Sequence, residues 1–434
     1  MKPSSPSPAR DAALVSVMAC LGPDKFDLQA ALSNALERAA LDSRDAGLAT
    51  EIAYGFIRLK GRIDFVLSAY LKEPAKLPFE VKMTLGLAAF ELTHLDKSPA
   101  HAVVNWAVGA VKARFGDGLA KLANAVLRRV AELESRPRDA EFYRKNAASE
   151  EDFQSRFYSC PRWIVEVIRR DHGPERCREL LAAQIEQPPL GLRFNSRAPE
   201  AIDAYEDMAA NSVHQGRFPT MVLRKGERPG NIGDLEARGL CSRQSAASQL
   251  ILAALEPQTW PGPIVDACAG RGGKACLLLE AGLPLAAACD LSRHRLRQLA
   301  RELSRLGLPR VPRILLDATG PQPWRKAPGT ILIDAPCTGL GVLARRPDSK
   351  WKRTRDDAAE LVRLQAAILA RAFDTLAPGG RLAYVTCTLL AAENEQQLLG
   401  LAKNRTGVKI LRQETTPESL ELGEFFYGAL IEKT

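Results

Sequence analysis

The sequence predicts a multidomain protein with an all-α N-terminal bundle, a small α+β linking subdomain and a C-terminal α/β domain. Apolar residues recur every three or four positions up to about residue 135, which is the pattern of amphipathic helices. After about residue 236, short apolar runs that end in polar residues alternate with helical segments, as in a parallel sheet. In addition, 434 residues are too many for one ordinary core.

The composition is that of a globular protein, with 46% hydrophobic and 26% charged residues. No apolar run is long enough to cross a membrane, and residues 1–9 resemble a disordered tail, so we expect a cytoplasmic protein. Nine cysteines without a C-x-x-C pair and five scattered histidines predict neither disulfides nor a metal site. The net charge of +9 favours a polyanionic partner, although it is also compatible with general solubility.

Residues 10–135 are predicted to form the helical bundle. Gly116 and Gly118 interrupt the last part of this region and predict a break between two helices. The apolar positions that define the pattern are Leu48, Ile52, Phe56 and Leu59, followed by Leu85, Ala88, Leu92 and Leu95.

The sequence signal is weaker in residues 136–235, which we interpret as the linking subdomain. Trp163 to Arg170 predicts a helix, whereas Pro188 to Asn195 and Met221 to Lys225 predict short strands. Residues 236–434 then form the C-terminal domain.

A glycine-rich turn follows the first strand of the C-terminal domain, where Ile264 to Lys274 reads IVDACAGRGGK. Glycines between a strand and a helix let the backbone approach a ligand beside the positive end of the helix. The next two strands end in Asp290 and Asp317, whose carboxylates suit the hydroxyls of a ribose and the edge of an adenine. A single aspartate at such a place is usually a helix cap. Three successive strand ends of this kind favour a nucleoside-binding site.

Two further strands end beside cysteines. ILIDAPCTGLG carries Asp334 and Cys337, and RLAYVTCT ends at Cys387 and Thr388. If these strands are parallel neighbours, their ends lie roughly 5 Å apart, so both sulfurs can face one pocket. The carboxyl ends of the strands are where open α/β sheets place their chemistry.

Basic residues form two clusters in this domain. Each could bind phosphates or only be a solvated surface, and the second is better placed for RNA because it follows the Cys337 loop. The first comprises Arg293, Arg297, Arg301 and Arg305, and the second comprises Arg345, Arg346, Lys350, Lys352, Arg353 and Arg355.

The motifs from Gly239 to Glu395 resemble those of the RNA 5-methylcytosine methyltransferases, which have a Rossmann-like fold and use S-adenosylmethionine. HAVVN at residues 101–105 and LANAVLR at residues 122–128 resemble the signature of the NusB-type RNA-binding domain. The two resemblances together imply a NusB-like bundle and a methyltransferase that acts on RNA, most specifically small-subunit ribosomal RNA. We also expect a monomer.

The resemblance implies a role for each motif residue. Cys387 corresponds to the nucleophile that attacks C6 of cytosine, and Cys337 to the thiol that releases the product. Asp334 corresponds to the residue that binds N3 and the amino group, which requires a protonated carboxyl for donation to N3. The implied cofactor-binding residues are Cys268, Ala269, Gly270, Arg271, Gly272, Gly273, Lys274, Asp290, Asp317 and Asp334.

The sequence departs from the family pattern at two of these motifs and leaves several alternatives open. Arg271 replaces the usual proline of the glycine-rich turn, and Thr338 replaces the usual serine after Cys337. Lys274 could organise the turn or form a structural salt bridge, and residues 393–395 could hold the Cys387 loop or begin a helix. The competing functions are a DNA cytosine methyltransferase, in which Cys337 attacks, and a non-catalytic RNA-binding assembly factor.

Overall fold

The structure is a computed structural model that describes residues 7–96, 98–208, 212–215, 218–223, 230–416 and 422–434. Residues 1–6 of the predicted tail lie outside these ranges. The chain groups into two compact units, Met1–Ile185 with Arg346–Lys352, and Glu186–Arg345 with Arg353–Thr434. This grouping does not test the domain boundaries at residues 135 and 235, which stay predictions. Within the described ranges, every helix is too short or too polar to span a bilayer.

The first unit is helical, and its core contains the apolar positions that the sequence pattern predicts. Ile52, Phe56, Leu85 and Ala88 are all buried, so the amphipathic pattern is confirmed. The helices are α1 (Pro8–Leu21), α2 (Leu28–Ala39), α3 (Ser43–Ser68), α4 (Phe79–His94), α5 (Ala100–Ala131), α6 (Ala140–Arg144), α7 (Glu150–Phe157), α8 (Arg162–His172) and α9 (Pro174–Ile185).

Helix α5 contains the break that the sequence predicts. Gly116 has φ +79° and ψ −176°, whereas the residues on either side are helical. A left-handed φ is readily adopted only by glycine, so the chain changes direction here between two helical segments.

A small antiparallel sheet opens the second unit, with the strand order β2-β3-β1-β4. The predicted strand at residues 188–195 is confirmed. The second predicted strand starts three residues earlier than expected, and residues 224–225 lie outside the described part of the chain. The elements are β1 (Leu190–Phe194), α10 (Pro199–Asp207), β2 (Ser212–Gln215), β3 (Phe218–Leu223), α11 (Ile232–Ala237) and β4 (Cys241–Arg243).

The rest of the second unit is a mixed sheet flanked by helices, as the fold class predicts. Its strand order is β10-β11-β9-β8-β5-β6-β7, with parallel pairing from β9 to β7 and antiparallel pairing of β11 with β9 and β10. The elements are α12 (Ala246–Ala254), β5 (Ile264–Asp266), α13 (Gly273–Glu280), β6 (Leu285–Asp290), α14 (Arg293–Arg305), β7 (Arg313–Leu315), β8 (Thr330–Asp334), α16 (Arg355–Thr375), β9 (Arg381–Thr386), α17 (Glu395–Asn404), β10 (Val408–Thr415) and β11 (Tyr427–Lys433). The short helix α15 (Ser349–Lys352) lies between β8 and α16 in the sequence but belongs to the first unit.

Strand β5 occupies the position in this sheet at which the strand order reverses. It pairs with β6 on one side and with β8 on the other, in parallel in both cases. Chain connections leave such a point in opposite directions and open a crevice at the carboxyl ends of the strands. The glycine-rich turn after β5 therefore lies where open α/β sheets bind their ligands.

Candidate active site

Cys337 and Cys387 lie side by side at the ends of β8 and β9. The strands are parallel neighbours with Asp334 opposite Val385, which confirms the predicted pairing. The two sulfurs are 3.3 Å apart, and both residues are partly exposed. The site therefore holds a pair of thiols that a substrate can reach.

The loop after Cys337 closely approaches the loop that carries Cys387. The amide of Gly341 donates to the carbonyl of Cys387 at 2.9 Å. A Cβ at Gly341 would lie 2.2 Å from the carbonyl oxygen of Phe425, so only glycine fits here without a shift of the backbone. The amide of Cys387 also points at the Cys337 sulfur, at 3.4 Å. The separation of the thiols is thus fixed by backbone contacts.

The surroundings of Cys337 change how readily its thiol loses a proton. The pKa of Cys337 is raised well above its ordinary value, first by its hydrogen bond with Cys387 and then by burial. A thiol with a raised pKa stays protonated at neutral pH and can donate to its neighbour. Of the two sulfurs, Cys387 is therefore the better candidate for the thiolate.

A buried carboxylate, Glu393, ties the two cysteine loops together. One of its oxygens accepts from the amide of Thr338 and the side chain of Gln365, both at 2.9 Å. The other accepts from the hydroxyls of Thr338 and Thr388, at 2.5 and 2.6 Å. Because each cysteine directly precedes one of these threonines, the carboxylate positions both thiols. Glu393 is not among the catalytic residues that the sequence predicts. The one local signal for its role is its position a few residues after Cys387.

We expect Glu393→Gln to lower the free energy of unfolding by about 2 kcal/mol and to slow methyl transfer at least about tenfold. The amide keeps the volume but replaces one acceptor oxygen with an N–H donor group, which faces either the amide of Thr338 and the side chain of Gln365 or the two threonine hydroxyls. Urea denaturation and single-turnover methylation measure the two effects. Glu395→Gln is the matched control because Glu395 is exposed two residues further on. Equal behaviour of the two variants would show that the network does not position the cysteines.

Asp334 forms an ion pair with Lys274, at 2.7 Å between Nζ and Oδ2. The ammonium is 6% exposed and the carboxylate 39%. The ion pair leaves carboxylate lone pairs that can accept from the cytosine amino group, and donation to N3 stays a prediction. Of the two alternatives for Lys274, the structure shows the salt bridge.

The glycine-rich turn and Asp290 come together around the start of α13. The amide of Gly270 donates to Asp290 at 2.9 Å, and Gly270 and Gly272 have φ +57° and +96°. The Ala269 amide is bonded to the carbonyl of Cys289, while Cys268 is partly exposed. Helix α13 begins at Gly273, so its positive end faces this crevice. These features fit a nucleoside ligand with a carboxylate group.

Two aspartates at the edges of this crevice differ in their surroundings. Asp317 is exposed, and hydrogen bonds from the hydroxyl and amide of Thr319 lower its pKa. Asp266, which the sequence analysis did not select, is buried, and burial followed by the charge of Asp334 raises its pKa to about 7. Its Oδ2 has no hydrogen-bond partner among the described residues. A buried acid with an unused oxygen beside the turn is a further polar group for the ligand.

Three residues of the second basic cluster do not form the RNA surface that we expected. Lys350 is buried and donates to the carbonyl of Arg58 at 2.9 Å, and burial lowers its pKa to about 7. Lys352 donates to the carbonyl of Phe26, and Arg345 pairs with Glu424. These three cations are occupied by the protein itself, so that interpretation is wrong for them.

The sequence is similar to two known protein families. A family model described as 16S rRNA methyltransferase RsmB/F matches residues 250–427, and the NusB family model matches residues 7–132. The probable ribosomal RNA small subunit methyltransferase B of Synechocystis is 32% identical over 379 residues, which cover 85% of this chain and 83% of the relative. The ribosomal RNA small subunit methyltransferase B of Vibrio cholerae is 31% identical, with 93% and 94% covered.

The fold also resembles that of a solved structure. The structure of NSun6 from Pyrococcus horikoshii with SFG, an analogue of S-adenosylmethionine, covers 63% of this chain and is itself covered to 98%. The TM-score is 0.54 and the sequence identity 18%. At this identity the likeness is one of fold.

Proposed function

We propose that this chain, which belongs to the RsmB/F family of 16S rRNA methyltransferases, methylates C5 of a cytosine through a covalent bond between Cys387 and C6. The enzyme uses S-adenosylmethionine, as its family does. The observation that carries the C5 proposal is the 3.3 Å pair of partly exposed thiols. Methyl transfer to a nitrogen or to a ribose has no need of two thiols, whereas C5 must first be made nucleophilic.

Cys387 performs the first step in this proposal. Its thiolate adds to C6, and the electrons of the C5–C6 double bond move to make C5 electron-rich. In this proposal the Cys337 thiol, whose sulfur lies 3.3 Å away, is the donor to Cys387 and stabilises the charge before attack. S-adenosylmethionine supplies an electrophilic methyl group, which C5 accepts.

Cys337 completes the reaction by accepting the proton from C5. The first cause of its raised pKa is the hydrogen bond with Cys387. Once the Cys387 sulfur is a neutral thioether, that cause is removed, and Cys337 loses its proton to water more easily. It then takes the C5 proton, the C5–C6 double bond forms again, and Cys387 leaves as a thiolate.

Asp334 and Lys274 orient the cytosine. The carboxylate accepts a hydrogen bond from the amino group at C4, while its ion pair with Lys274 holds it in place. This selects cytosine over uracil, because uracil has an oxygen where cytosine has a donor. Residues 268–274 with Asp290 and Asp317 are proposed to hold the cofactor.

A tritium-release assay tests the position of methylation. A 16S rRNA transcript labelled with tritium at C5 of cytosine is methylated by the wild-type enzyme in the presence of S-adenosylmethionine. We expect one tritium atom in water for each methyl group incorporated, because C5 loses its hydrogen. Incorporation without release would place the methyl group elsewhere, and a reaction without cofactor is the control.

The proposal extends to the location and the oligomeric state of the enzyme. We propose that it acts as a cytoplasmic monomer on 16S rRNA. The proposed catalytic residues Asp334, Cys337 and Cys387 and the positioning residue Glu393 come from one chain within one compact unit, so the site needs no second copy.

A further inference from the structure

A cavity in the second unit lies next to the glycine-rich turn, and of its lining residues only Arg271 and Gly273 belong to those proposed above to hold the cofactor. Its volume is about 400 Å³. Side chains from β1, β4, the turn and α14 line it, and they include five arginines. We call it the arginine pocket, after Arg193, Arg243, Arg271, Arg301 and Arg305.

Three of these arginines are neutralised by acidic partners and build the walls. The ion pairs hold these guanidinium groups and offset their charge, most firmly at the buried Arg193 and least at the exposed Arg243. The pairs are Arg193–Glu280, Arg243–Glu236 and Arg305–Glu302, with N···O distances of 2.7, 3.0 and 2.5 Å.

Arg271 and Arg301 differ from the other three. Both are exposed, and neither forms an ion pair with any residue that the structure describes. Arg271 comes from the turn and Arg301 from α14, so they approach the cavity from two elements. Two guanidinium groups without an acidic partner at one cavity attract anions, and guanidinium matches phosphate in shape and charge.

The turn presents a different face to the proposed cofactor crevice. The Gly270 amide points at Asp290, whereas a Cβ at Gly273 would lie 3.5 Å from the side chain of Gln244, which lines the pocket. Arg271 stands where the family pattern has proline, so this chain adds a cation to the pocket side of the turn.

We propose that the arginine pocket binds a backbone phosphate of the RNA substrate through Arg271 and Arg301. This inference rests on the proposed function, because RNA is the polyanion that the enzyme acts on. Two residues of the first basic cluster therefore have different roles in this proposal. Arg301 contacts the substrate, whereas Arg305 stabilises the protein by bonding to Glu302 and to the backbone of β4.

The test measures binding of a 16S rRNA transcript by the full chain at several KCl concentrations. We expect Arg271→Ala and Arg301→Ala each to weaken binding about five- to tenfold and to lower the salt slope of log K by about 1. Arg325→Ala is the matched control, since Arg325 is exposed and outside the pocket, and it should leave the slope close to that of the wild type. Unchanged affinity and slope in both pocket variants would overturn the proposal.

A second measurement separates RNA phosphate from the carboxylate of the cofactor. Calorimetry with S-adenosylmethionine should give similar affinities for the wild type and Arg301→Ala, because Arg301 lies outside the residues proposed to hold the cofactor. If Arg271→Ala weakens cofactor binding and leaves RNA binding intact, the pocket serves the cofactor and the proposal is wrong. A failed tritium-release assay, with the RNA-binding changes still present, would instead reject C5 methylation and retain the pocket.

Discussion

Cys387→Ala is expected to reduce methyl transfer by about 10⁴-fold or more. Without this sulfur no covalent bond to C6 forms, and C5 stays too electron-poor to accept a methyl group. Incorporation of tritiated methyl groups into a 16S rRNA transcript measures the loss, and denaturing gels should show no protein–RNA complex. Cys177→Ala removes a buried thiol of the first unit and should retain methylation once corrected for the folded fraction.

The same variant decides which sulfur attacks. If Cys387→Ala still gives a complex that survives denaturation, Cys337 is the nucleophile, as in the DNA cytosine methyltransferase alternative. The sulfurs are only 3.3 Å apart, so distance alone does not distinguish them. The raised pKa of Cys337 is the reason to expect Cys387.

Cys337→Ala is expected to have the opposite effect on the covalent complex. Cytosine is attacked and methylated, but no group removes the C5 proton, so the bond to Cys387 persists. Turnover should fall below one methyl group per enzyme molecule, while a complex of protein and methylated RNA accumulates on denaturing gels. The double variant, with both cysteines replaced by alanine, should form no complex. Normal turnover by Cys337→Ala would assign proton removal to another base.

The sequence was sufficient to predict the parallel strands β8 and β9, because each combines a buried apolar run with a polar end. It also predicted a cysteine after the end of each strand. Both features depend on local patterns that a single strand carries by itself, whereas the pairing of the two strands is seen only in the structure. The fold class and the family resemblance followed from the same motifs.

Other parts of the site depend on partners that are distant in the sequence. The basic neighbours of Lys350 predict a contact with RNA. In the structure its ammonium instead donates to the carbonyl of Arg58, which is 292 residues away in the sequence. Glu393 became important only through Thr338, which lies 55 residues earlier. Asp334 is paired with Lys274, which comes from the distant glycine-rich turn. No local pattern reports such pairings, so burial and side-chain partners could not be predicted at these positions.

The position of the segment Arg346–Lys352 in the sequence determines when the helical unit can finish folding during translation. It belongs to the helical unit, where the Trp351 indole donates to the carbonyl of Ile57 at 2.7 Å. A nascent chain that has just emerged up to Ile185 therefore lacks a residue of its own helical unit. That unit can be completed only after more than half of the other unit has been translated, so N-terminal folding finishes late in synthesis.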